Sequence, residues 1–206
     1  MIVLDRDGPL WTLRIDRAEK ANALTRGMLE DLVAAVKSAR DTAQALVITG
    51  EGKVFSAGAD LEEVHSGLEK TPLWEELSGA IAGLPCLTVA ALNGTLAGGA
   101  FGMALACDLR IAVPTAKFFY PVMKLGFLPQ PSDPGRLAAL VGPARAKLIL
   151  MAGQKIEADE ALSIGLIDRI VPAAELQDTA KALAADALAA TPEHASAIKA
   201  MVNPGN

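Results

Sequence analysis

The chain has 206 residues, 51% of them hydrophobic and 21% charged, enough for one domain with a sizeable core. Its net charge of -5 and scattered basic residues argue against nucleic acid as a partner. No apolar run reaches the roughly 18 residues of a membrane span, no signal-peptide layout opens the chain, and two distant histidines, His65 and His194, offer little to a metal.

Residues 1–15 read as a hairpin: Met1 to Leu4, a turn over Asp5 to Pro9, then Leu10 to Ile15 with alternating apolar and polar residues. Lys20 to Leu24 form a loop. Thr25 is placed to cap a helix whose one face carries Met28, Leu29, Leu32, Val33 and Val36. An apolar strand at 45–49 ends in glycine turns and then small residues, Ser56-Ala-Gly-Ala-Asp60. A helix over Leu73 to Ile81 leads to the stretch around which the chain is organised, Cys86 to Asp108. It opens as a buried strand at 87–92, breaks at Asn93-Gly94, and continues through Gly98, Gly99 and Gly102 among alanines. Each glycine near a helix start costs about 1 kcal/mol against alanine, so a close-packed backbone or a ligand on bare N–H groups should offset it. Cys86 and Cys107 both lie in apolar segments and read as small core residues of a reducing, cytoplasmic compartment.

Further on, Leu109 to Val113 read as a strand and Pro143 opens a helix over Ala144 to Met151. Gly165 stops a helix begun near Ala158. Leu176, Ala180, Leu183 and Ala187 mark a last long amphipathic helix, and Pro192 opens a short final one. Strands alternating with helices define an α/β protein and also permit a doubly wound sheet. Neither G-x-G-x-x-G after the first strand nor G-x-x-x-x-G-K-[ST] occurs, which removes the best support for a nucleotide cofactor.

Four segments in order carry a resemblance: Arg17-Ala-Glu-Lys-Ala-Asn-Ala-Leu24, Ser56-Ala-Gly-Ala-Asp60, the Asn93-Gly94/Gly98-Gly99/Cys107-Asp108 set, and Ala158 to Asp168. Together they resemble the crotonase, or enoyl-CoA hydratase/isomerase, superfamily over residues 1–172. The resemblance implies a spiral of repeated β-β-α units over 1–172, followed by a shortened helical segment over 173–206. No internal sequence repeat accompanies it. It also implies an acyl-CoA thioester substrate, no separate cofactor because coenzyme A arrives with the substrate, and a homotrimer or a dimer of trimers. The implied chemistry is stabilisation of a thioester enolate by two backbone N–H groups, those of Ala59 and Gly99, each worth about 3–4 kcal/mol in such holes. Residues 20–24 and 56–61, among them Lys20, Ala21, Ala23, Ala57, Asp60 and Leu61, would meet the CoA moiety. Lys20 is either a phosphate contact or a solvated surface lysine.

The chain departs from its relatives at the acid/base positions. Hydratases of the family carry a glutamate where Gly102 stands and a second where Val122 stands, and neither residue here can move a proton. In the loop Gly126 to Gly135, Gln130 occupies a site that is acidic in some relatives, and Asp133 is the nearest carboxylate. Asp133 is a candidate acid/base or the cap of the helix that follows Asp-Pro. Tyr120, the only tyrosine, is a candidate pocket residue or a core residue with a bonded hydroxyl. Glu62, Glu63 and His65 read as a solvated helix face, and Asp60 and Asp108 also suit structural roles. Three functions remain open: an isomerase, decarboxylase or thioester hydrolase with unusual acid/base groups, an ordinary hydratase with carboxylates elsewhere, or a non-catalytic CoA-ester binder or oligomer partner. Only 34 residues follow Pro172, so the resemblance implies either an open acyl pocket or one closed by a neighbouring subunit.

Overall fold

The computed structural model describes residues 1–202. Strands β1 (Ile2–Asp7) and β2 (Leu10–Ile15) form the expected hairpin, whose turn tightens to Gly8-Pro9. Helix α1 (Arg26–Ala39) begins at Thr25, whose hydroxyl accepts from the Met28 N–H at 3.2 Å, and it buries the apolar stripe from Met28 to Val36. The chain then runs β3 (Ala45–Gly50), β4 (Val54–Ser56), α2 (Leu61–Val64), α3 (Leu73–Ala82), β5 (Leu87–Leu92), β6 (Thr95–Ala97) and α4 (Phe101–Ala106). After these come β7 (Leu109–Ala112), β8 (Lys117–Phe119), α5 (Val122–Leu125), α6 (Asp133–Val141), α7 (Pro143–Leu150), β9 (Ile156–Glu157) and α8 (Ala158–Ser163). The described chain ends with β10 (Arg169–Ile170), α9 (Leu176–Ala189) and α10 (Pro192–Val202).

Two sheets result. The wide one runs β1-β2-β3-β5-β7-β10, parallel except for the β1–β2 hairpin, and the narrow one runs β4-β6-β8-β9. The pairs β3/β4, β5/β6 and β7/β8 each give one strand to the wide sheet and the next to the narrow sheet before a helix returns the chain. This is the β-β-α spiral, and it sets aside the doubly wound sheet that the alternation alone permitted. All six residues of β3 are buried, as befits a parallel strand covered on both faces.

The C-terminal helices pack on this core. Leu176, Ala180 and Ala184 of α9 are buried, and the Gln177 amide donates to Thr49 Oγ1 at 3.2 Å. On α10, Lys199 Nζ donates to Asp108 Oδ2 at 2.7 Å and to the Cys86 carbonyl at 2.8 Å. The segment over 173–206 thus contains α9 and α10, and its last four positions lie outside the described residues. Both thiols are buried and unpaired, and burial pushes them up, to about 11 for Cys86 and about 12 for Cys107. Among the described residues no helix is long and apolar enough to cross a membrane, and no cluster of His, Cys, Asp or Glu could hold a metal ion.

Candidate active site

The two segments expected to meet CoA are zipped together. The Ala57 N–H donates to the Ala21 carbonyl at 3.0 Å, Leu24 N–H to the Gly58 carbonyl at 2.8 Å, and Asp60 N–H to the Leu24 carbonyl at 2.9 Å. Leu24 and Ala59 thus pair as a parallel bridge whose hydrogen bonds use the amides on either side of Ala59 and leave its own out. Ala21 and Asn22 both adopt left-handed backbone, which non-glycine residues rarely do. The fully buried Asn22 side chain offsets that strain: Oδ1 accepts from Arg17 N–H at 2.8 Å, and Nδ2 donates to the Glu51 and Val54 carbonyls at 2.9 and 2.6 Å.

The glycine-rich stretch lies directly against this zipper. Gly58 has φ +91°, and a Cβ there would stand 2.9 Å from the Ala97 carbonyl and 3.3 Å from the Gly99 nitrogen. No side chain fits, so the segments approach backbone to backbone and bring the amides of Ala59 and Gly99 to neighbouring positions. Gly99 sits in the first turn of a short 3₁₀ segment running into α4, where N–H groups have no helical partner. Both residues are half-buried. Trp74 forms a wall of this site. A Cβ at residue 99 would sit 3.3 Å from its ring, and its Nε1 donates to the Leu68 carbonyl at 2.9 Å.

One turn along, Gly102 is buried, and the space a side chain would fill there holds the carboxyl of Asp133. A Cβ at residue 102 would be 2.9 Å from Asp133 Oδ1. Asp133 is 1% exposed; its Oδ2 accepts from the Tyr120 hydroxyl at 2.9 Å, while its Oδ1 has no partner among the described residues. Burial, outweighing the Tyr120 hydrogen bond and the charge of Arg136, pushes the carboxyl up to about 6. The same burial, and after it the Asp133 charge, pushes the Tyr120 hydroxyl upward. Tyr120 is itself fixed by stacking on Phe101, with ring centroids 5.4 Å apart. Asp133 does not take the capping role considered for it: Ser132 stands at the N-cap position of α6 without a side-chain cap bond, and the Asp133 carboxyl turns inward to Tyr120.

The other candidate residues are placed as follows. The Asp60 carboxylate is buried, pairs with Arg17 and accepts the Glu62 N–H at 2.8 Å. Hydrogen bonding from Arg17 holds it below its usual value, and its partners make it a brace of the zipper rather than a free ligand group. Lys20 is exposed and paired with Glu62 at 3.1 Å, beside half-buried Ala21 and Ala23. Ala57 and Leu61 are exposed at the rim. Gln130 spends its side chain on the Glu69 carbonyl at 3.3 Å, and its N–H meets the Tyr120 hydroxyl at 3.4 Å. Asp108 is structural, bonded to Thr88 and Lys199. Asn22 stood inside the Arg17–Leu24 motif without an assigned role, and Trp74, Glu75 and Ser132 escaped sequence reading because no motif spacing marks them. Trp74, as one of two tryptophans, offered the only compositional signal.

The chain is thus a two-sheet β-β-α spiral whose glycine turns meet backbone to backbone beside a buried carboxyl seated on Gly102. The family description "Enoyl-CoA hydratase/isomerase" matches residues 6–205. A probable enoyl-CoA hydratase of Mycobacterium bovis is 35% identical over 185 residues, 89% of this chain and 76% of that protein. The crotonyl-CoA hydratase of Syntrophomonas wolfei is 36% identical over 191 residues, 89% of this chain and 74% of that protein. The solved enoyl-CoA hydratase of Bacillus anthracis superposes with a TM-score of 0.89 at 28% identity, covering 99% of this chain and 83% of that one. The chain belongs to the enoyl-CoA hydratase/isomerase family.

Proposed function

We propose that this protein binds an acyl-CoA thioester, stabilises its enolate with the N–H groups of Ala59 and Gly99, and moves a proton with Asp133. The observation that supports the reading is the Asp133 carboxyl seated on Gly102, with one oxygen buried and without a hydrogen-bond partner among the described residues. Gly102 follows Gly99 by three residues, about 5 Å along a helix. A carboxyl there is one residue's reach from a carbon held at the amides.

The chemistry follows from that placement. Oδ1 takes a proton from the carbon next to the thioester or from the vinylogous one. The freed electron pair moves onto the thioester oxygen, where the two N–H groups hold the charge. The same carboxyl then returns the proton at the other carbon, a 1,3-shift of isomerase type with no change of oxidation state. A carboxyl near 6 suits both halves of such a shuttle at neutral pH. Adding water requires a second group to orient it, and Val122 is buried and apolar, so hydration of crotonyl-CoA is expected to be weak. The zipped segments, with Lys20 freed from Glu62 for a CoA phosphate, supply the rest of the binding surface.

The test is wash-in of deuterium from D2O into acyl-CoA thioesters, followed by mass spectrometry, alongside calorimetric binding. Wild-type protein should bind and exchange, whereas Asp133→Asn should bind and lose about 10²–10⁴-fold in exchange. Absence of binding to any CoA ester at millimolar concentration, or full exchange by the asparagine variant, would overturn the reading.

A further inference from the structure

Trp74 and Glu75 are consecutive on α3, and each reaches a different part of the site. Trp74 lies against Gly99. Both carboxylate oxygens of Glu75 are taken by Ser132, the residue just before Asp133: Oε2 accepts its N–H at 3.1 Å and Oε1 its hydroxyl. A serine at the start of a helix ordinarily turns its hydroxyl onto the helix's own N–H groups. Ser132 makes no such bond and gives its hydroxyl to α3 instead.

We infer that Glu75 is a positioning residue for Asp133, acting through Ser132 to fix the acid/base carboxyl against Gly102. The inference rests on the reading of Asp133 as the acid/base. The Asp133 backbone is bracketed on one side by Ser132, clamped to α3, and on the other by the turn in which its N–H donates to the Gln130 carbonyl at 3.0 Å. Its Oδ2 is held by Tyr120. Only Oδ1 remains uncommitted. Because one helix carries both Trp74 and Glu75, α3 sets the separation between the amide pair and the carboxyl. Misplacing a catalytic group by about 1 Å can cost up to 10²-fold, so loosening this clamp should register in rate before it registers in binding.

Glu75 also acts by charge. The charged and titratable groups that face Asp133 are Tyr120 from the turn after β8, Arg136 from its own helix and Glu75 from α3; α4 presents none. The Glu75 charge holds the Asp133 proton on, so its neutralisation should move the titration of Asp133 toward lower pH.

Glu75→Gln and Ser132→Ala separate these effects in the deuterium wash-in assay. Both should lower kcat about 10- to 100-fold with KM and CoA-ester binding nearly unchanged. Glu75→Gln should in addition move the acidic midpoint of the pH–rate profile downward, which Ser132→Ala should leave in place. Glu75→Asp, keeping the charge on a shorter arm, should retain the wild-type midpoint. A merely structural clamp would lower the unfolding temperature of both variants while leaving kcat and midpoint untouched, and that result would overturn the inference. If Glu75→Gln does not fold, an unaltered kcat in Ser132→Ala overturns it alone. Failure of the underlying reading looks different: Asp133→Asn would then exchange at the wild-type rate.

Discussion

Gly102→Ala tests whether the Asp133 carboxyl owes its position to a missing side chain. The added methyl carbon would stand 2.9 Å from Oδ1, closer than carbon and oxygen tolerate, while Ser78 Cβ at 3.5 Å is an ordinary neighbour. One atom must therefore yield, and it is the carboxyl, swung away from the Tyr120 hydroxyl. In a helix, alanine in place of glycine gains about 1 kcal/mol. The lost hydrogen bond to a charged group forfeits roughly 1.5–3 kcal/mol. The balance is a net destabilisation of roughly 0.5–2 kcal/mol, or a fall of about 1–8 °C in Tm for a chain of this size. Thermal unfolding followed by circular dichroism measures it, and exchange activity should fall with it. A variant that gains stability and keeps full activity would show that Asp133 does not depend on bare space at residue 102, and the reasoning would fail.

Stability should also carry a mark of Asp133 in its pH dependence. Its folded carboxyl titrates near 6 and its unfolded one near 3.9. Between about pH 4 and 6 the folded chain keeps a proton the unfolded chain has lost, so stability declines as pH rises through that window, by about 3 kcal/mol in all. Urea titrations of wild type and Asp133→Asn should show this slope only in the former; parallel curves would refute it. Gly58→Ala drives a Cβ into the Ala97 carbonyl at a φ of +91°, where neither partner is a movable side-chain end. Calorimetry should find its CoA-ester binding weakened at least about tenfold, since the paired amides are pushed apart. As a family member the protein should also assemble, most readily as a trimer. Light scattering at micromolar concentration should give a mass well above 21.3 kDa, and a monomer mass would count against it.

What was legible in the sequence divides along physical lines. The hairpin, the Thr25 cap and the strands at 45–49 and 87–92 were readable because burial writes long apolar runs or a clean stripe. The narrow sheet was not. Its strands are two or three residues long, too short for any period, and they form because the wide sheet delivers them side by side. In the proposed site, Ala59 and Gly99 were nominated from motifs rich in small residues, the composition that lets two backbones meet as they do at Gly58. Asp133 was found only as one of two readings. Asp-Pro suits a helix start equally well, and what decides for the inward carboxyl is a vacancy 31 positions away at Gly102. Glu75 and Ser132 lie on different elements and obey no spacing rule.

The parallel pairing of β4 with β6 has a consequence for how this site could change. Ala59 follows β4 and Gly99 follows β6, so the two amides sit at corresponding points of successive windings. Neighbouring strands of a sheet lie about 4.8 Å apart, and that repeat underlies the close approach of the two turns that follow them. A side chain added between the two turns, as at Gly58, would change that spacing, because the chains there meet backbone to backbone. The Asp133 carboxyl is placed instead by side-chain contacts, to Tyr120 and against Gly102, and not by the sheet. In the proposed site the amide pair is therefore set by the sheet, whereas the carboxyl rests on residues that can be exchanged one at a time.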